Sequence, residues 1–248
     1  MTRVDTGDTA WMLAATALVL LMTPALGLFY AGLVRARNTL NTYMMSVAAL
    51  CVATIMWALV GYSIAFGDAN GVIGGFDHLA LHDVTFAPRA GTTIPQLLFM
   101  AFQATFCIVT VALVSGAIVE RMAFGAYLVF IALWSVLVYA VLAHWAFGGG
   151  WLQSQGTLDF AGGVPVEMGS GFSALAAALV APVYAFGMTF LLLRAIALVT
   201  PLRTTEHDEA VGMDIVQHGE EAYATGEGAV LVAPEAGVEP PIPVGGPT

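Results

Sequence analysis

The chain has 248 residues, 59% of them hydrophobic and only 10% charged, with seven arginines, no lysine and a net charge of −10. Such a composition excludes an ordinary soluble domain and gives no footing to a nucleic-acid partner; it predicts an all-α integral membrane protein in contact with a lipid bilayer. No metal-ligand spacing, nucleophile elbow or phosphate loop is present, so no enzyme, cofactor or metal is expected.

Five apolar runs, at about 9–34, 42–66, 94–119, 123–147 and 164–200, are each long enough to span a membrane. The first is too long for a signal-peptide hydrophobic segment and follows only Arg3, Asp5 and Asp8, so it is expected to be a retained span. Arg35 and Arg37 follow the first run, Glu120 and Arg121 separate the third from the fourth, and Arg194 and Arg203 end the fifth. The positive-inside rule places those ends and the C-terminus in the cytoplasm, and the N-terminus outside a cell membrane. The loop Gly67 to Thr93 then lies outside, with Asp68, Asp77, Asp83, His78 and His82 and only Arg89 as a base. His78 and His82 sit four apart, but in a Gly and Asp loop they read as solvated rather than as metal ligands. Cys51 and Cys107 lie inside apolar runs and imply no disulfide framework.

The last run, Val164 to Thr200, is about 37 residues where a span needs roughly 20. A hairpin at Ala181-Pro182 has no polar turn residues and sends Arg194 and Arg203 outside. One long helix bent at Pro182, breaking or lying in the interface near Gly169 and Gly171, is the preferred reading. From Thr204 the chain carries nine acids and neither Lys nor Arg, then much Gly and Pro. Two regions are expected: a membrane domain over 1–203 and a cytoplasmic acidic tail over 204–248, mostly disordered.

Four places could carry chemistry. Phe102 and Phe106, flanking Gln103, lie one helical turn apart near the outer end of the third run, either as ordinary packing or as an aromatic wall. The fourth run ends at His144-Trp145-Ala146-Phe147, then three glycines and Trp151. The aromatic belt of a membrane interface explains Trp145 and Trp151, whereas Phe147 before flexible glycines suits a vestibule. Asp159 reads as a helix cap, a role compatible with function. Glu167, expected to be buried among Val166, Met168 and Phe172, reads as an acid of raised pKa and a proton relay. Cation–π contact supplies about 0.5 to 2 kcal/mol, too little to strip an ion of water; ammonium, a weak acid, can leave its proton behind and cross as ammonia.

Several segments resemble, in order, the ammonium transporter family. Asp8-Thr9-Ala10-Trp11-Met12-Leu13, Leu21-Met22-Thr23-Pro24 and Leu28-Phe29-Tyr30-Ala31-Gly32-Leu33-Val34-Arg35 are similar to its first span. Phe102-Gln103-Ala104-Thr105-Phe106, Gly116-Ala117-Ile118-Val119-Glu120-Arg121 and Leu158-Asp159-Phe160-Ala161-Gly162-Gly163 resemble its third span and the approach to its fifth. Gly212-Met213-Asp214-Ile215-Val216-Gln217-His218-Gly219-Glu220-Glu221-Ala222-Tyr223 resembles its cytoplasmic signature. The resemblance implies an eleven-helix protomer in two inverted halves, a homotrimer, a narrow pore in each protomer, and a PII-type signalling partner at the tail. It implies Phe106 as one ring of a gate, Phe102 and Phe147 as a recruitment site, and Asp159 as its supporting acid. Many members have Trp where Phe147 stands, and most have a pore histidine where Glu167 stands. The match runs through five spans and then jumps to the last span and tail, with a junction near 180–184, so spans six to ten are absent and about five to six membrane helices remain. Two functions follow as expectations: ammonium transport, or a non-transporting shortened subunit of full-length transporters.

Overall fold

The computed structural model describes residues 3–68, 70–120, 122–171 and 180–219, the side chains of 180–184 excepted. Asp5 starts α1 (Thr6–Ala31), its carboxylate accepting the Asp8 N–H at 2.9 Å, where an anion also suits the helix dipole. The Asp5 N–H reaches the Thr93 carbonyl at 2.8 Å, which pins the start of the first span to the loop before the third.

The second span joins a short 3-10 turn, Ala36–Asn38, to α2 (Thr39–Met56), a π turn Trp57–Gly61 and α3 (Tyr62–Phe66). The third is α4 (Gln96–Ile118). The fourth runs from α5 (Phe124–Trp134) through a π turn Ser135–Tyr139 to α6 (Ala140–Phe147), with α7 (Trp151–Ser154) close behind. A third π turn, Gly163–Met168, is followed by α8 (Val180–Ala197), α9 (Glu206–Val211) and α10 (Met213–His218). Among the described residues there is no β-strand, and four stretches are long and apolar enough to cross a membrane: Thr6–Ala31, Ala36–Phe66, Gln96–Ile118 and Phe124–Ser154. This is an all-α membrane protein of reduced helix number.

Burial orders these spans. In its most apolar window the fourth is 72% buried and the first only 11%, so the fourth forms the centre and α1 an outer wall whose Trp11, Leu18, Leu28 and Phe29 face outward. α1 lies close against α4, where Gly116 meets the Tyr30 ring and the Tyr30 hydroxyl reaches the Leu113 carbonyl at 3.3 Å. The π turns of the second and fourth spans touch through Trp57 and Tyr139, whose ring centroids are 5.8 Å apart. An inserted residue in each turn leaves backbone groups less regularly paired than in an α-helix, which is why such turns recur beside working sites.

The last apolar run is only partly described. Gly163 to Ser170 and Val180 to Ala197 are helical; the stretch 172–179 between them, on which the bent-helix reading depends, lies outside the described residues. Trp145 is not an interface residue of the kind expected. It is 4% exposed, and its indole N–H donates to the Val72 carbonyl at 2.7 Å, holding the long loop against the fourth span.

The tail also departs from expectation in its first part. Residues 220–248 lie outside the described residues, but Glu206 to His218 packs firmly against the basic end of the bundle. Met213 and Asp214 are 0% exposed, and Asp214 accepts the Leu40 and Asn41 N–H groups at 3.0 and 2.8 Å. These are first-turn donors of α2, which its own Asn38 side chain leaves uncapped. Asn38 instead accepts the Met213 N–H at 2.7 Å, Gln217 accepts the Phe124 N–H at 2.9 Å, and His218 lies edge-on to Phe124. Acidic composition suggested solvation; one buried carboxylate with two backbone donors reverses that for this segment.

At the same end Glu120 gathers the side chain and backbone N–H of Arg35 together with the Asn38 amide. Burial pushes the Glu120 carboxyl up, but hydrogen bonds from Arg35 and Asn38 outweigh it and hold the group below the usual carboxylate range. A depressed folded value contributes stability above that range and loses it as pH falls through it. Protection of the Arg35 amide, taken relative to the unprotected exchange rate at the same pH, should therefore fall on acidification in the wild type, and Glu120→Gln should show the weaker protection already at neutral pH.

Candidate functional site

At the opposite end, the turn after α6 folds tightly back on the bundle. A side chain at Gly148 would run into the Ala65 carbonyl oxygen, so the ends of α3 and α6 can approach only because no Cβ is there. His144, 2% exposed, sits beneath this contact with Nδ1 3.0 Å from the Ala65 carbonyl and Nε2 2.8 Å from that of Asn70. Phe147 is thereby placed at the lip of a cleft of about 450 Å³.

Asp159 forms another wall. Its Oδ1 accepts the N–H groups of Gly162 and Gly163, and its Oδ2 that of Val164, all at 2.8 Å. Three donors on one carboxylate cap the π turn Gly163–Met168. The turn needs glycine at 162, where φ is +90° and a Cβ would press on Val166.

The cleft is lined further by Arg89, Phe99, Gln103, Leu158 and Phe160. Arg89 extends its guanidinium over the Phe99 ring, 4.0 Å from the centroid, and lies 5.5 Å from that of Phe66; Phe66 and Phe99 meet edge to face at 5.0 Å. Gln103 belongs to this lining, and its side-chain oxygen is buried with no hydrogen-bond partner among the described residues. A carboxylate and several rings around one opening suit a small cation bearing N–H groups.

The residues singled out from sequence are only partly brought together. Phe147 and Asp159 share the cleft. Phe102 and Phe106 form an edge-to-face pair with centroids 5.0 Å apart on α4, but neither lines it. Glu167 corrects the expectation of burial: it is exposed, while Val166 and Met168 point inward, and Phe172 lies outside the described residues. Side chains adjacent in a helical turn point in different directions, so apolar sequence neighbours do not bury an acid. Arg89 and Phe99 were missed. Phe99 could have been found, since positions 99 and 103 share a face of α4.

A model of one family, described as the Ammonium Transporter Family, matches residues 10–182 and 177–223. The chain is 48% identical over 175 residues to an ammonium transporter of Bacillus subtilis, covering 70% of this chain and 43% of that protein. It is 47% identical over 180 residues to an ammonium transporter of Aquifex aeolicus, covering 72% and 43%. Among crystal structures it resembles Candida albicans Mep2, with TM-score 0.65 and 36% identity over 77% of this chain and 46% of that one. Saccharomyces cerevisiae Mep2 gives TM-score 0.64 and 36% identity over 69% and 38%. The chain thus spans less than half the length of these relatives, and its two matched stretches overlap only at 177–182. With that family model covering most of the sequence, and with relatives that are transporters rather than enzymes, the chain belongs to the ammonium transporter family.

Proposed function

We propose that this chain handles ammonium, recruiting it from outside the cell at the cleft between Phe147 and Asp159. The observation that carries the reading is the grouping there of aromatic rings and a carboxylate fixed by three backbone N–H groups. The basic end, with Arg35, Arg37 and Arg203, lies in the cytoplasm together with the tail. Phe102 and Phe106, paired edge to face on α4 outside the cleft's own lining, supply the next rings on the way inward, Phe106 being one ring of the gate. Ammonium loses its proton on the way inward, Glu167 being the acceptor, and ammonia crosses through a narrow pore. A homotrimer and a PII-type partner on the tail belong to the same reading.

A second reading rests on length. Transporters built from inverted halves place their site between the halves, and this chain spans 43% of its Bacillus subtilis relative. Here it is a shortened, non-transporting subunit that joins full-length protomers. Reconstitution separates the two. Methylammonium uptake into liposomes holding only this chain supports transport; no uptake, with co-purification alongside a full-length family member, supports the subunit. Neither uptake nor association removes both.

A further inference from the structure

Arg89 stands in the recruitment cleft as a cation of the chain's own. Its backbone is fastened: the Arg89 N–H donates to the Ile94 carbonyl at 3.1 Å, and the Arg89 carbonyl accepts the Thr92 N–H and hydroxyl at 3.0 Å each. The pairing continues from Ala87 to Gln96 and from Thr85 to Leu97, so the loop returns directly into α4, one turn from Phe99. From there the guanidinium lies 4.0 Å over Phe99, and no carboxylate comes within 4 Å of it among the described residues. Phe147, Gln103 and Asp159 line the same cleft.

A planar, weakly hydrated guanidinium is well suited to a ring face, better than a compact and strongly hydrated ammonium ion. Two like charges cannot share one small aromatic surface without repulsion, and a ring already polarised by one cation offers less to a second. We propose that Arg89 is a tethered competitor that occupies the cation surface of the cleft and sets the affinity for ammonium by having to be displaced. The inference rests on the recruitment reading above and adds the residue that tunes it.

Binding rather than transport tests it. Methylammonium is titrated against the purified full chain in lipid nanodiscs, followed by saturation-transfer NMR. Arg89→Gln and Arg89→Met, the latter keeping an apolar stem over Phe99, should bind about fivefold tighter than wild type. Arg89→Lys, which keeps a charge but fits the ring face less well, should fall between wild type and these two. Added guanidinium should compete with methylammonium in the Gln variant far more than in wild type. Binding that is unchanged or weaker in both uncharged variants overturns the competition while leaving recruitment standing, as does a Lys variant that matches them, the mark of a structural role. No binding by any form overturns the competition and the recruitment reading together.

Discussion

Asp159→Ala should unseat the entry to the last membrane segment and abolish cation binding in the cleft. The side chain is the shared acceptor of three N–H groups, each at 2.8 Å, so its loss strands all three at once. Charge-assisted bonds contribute about 1.5–3 kcal/mol each when fully buried; Asp159 is only half-buried, which brings the expected loss to about 2–4 kcal/mol in total. Thermal unfolding in detergent measures that loss. Asp159→Asn separates the two roles, because one amide oxygen still accepts from the turn while the negative charge is gone. Its stability should fall between those of Ala and wild type, and its methylammonium binding should be as poor as that of Ala. An Ala variant that melts with the wild type would leave the capping role without support.

Asp214→Ala should release the docked part of the tail. Both carboxylate oxygens are fully buried against the first turn of α2, and alanine leaves the Leu40 and Asn41 donors unpaired in that pocket. Two charge-assisted contacts of this kind put the cost of undocking at about 2–4 kcal/mol. Limited proteolysis should then cut between residues 204 and 219 many times faster than in wild type. Glu206→Ala, at an exposed position of the same segment, is the control and should leave the rate unchanged. Equal cleavage in all three forms would mean that the carboxylate does not hold the segment.

The membrane architecture could be read from the chain because long apolar runs have few alternatives in lipid, and four of the five runs match helices to within a few residues. Asp159 was legible for a similar reason. A carboxylate just before a glycine pair and an apolar run satisfies local donors whatever surrounds it, and cap geometry is local. Glu167 was not, because its exposure depends on which face of a π turn it takes, and a π turn shifts the helical register that sequence counting assumes. Arg89 was hidden differently. It lies ten residues before Phe99, and only the return of the loop, marked by the Pro88 and Pro95 pairing, brings the two together. The docked tail was masked by composition: nine acids suggested repulsion and solvation, while the outcome turned on one of them meeting two particular amides.

Because the ribosome releases the polypeptide from its amino end, Asp214 emerges some 173 residues after the helix start that it completes. Until then the second crossing must settle in the bilayer with its leading amides served only by water and headgroups. The latch is therefore the final stitch of assembly, and interrupted synthesis would yield a product with every crossing present and that seam still open.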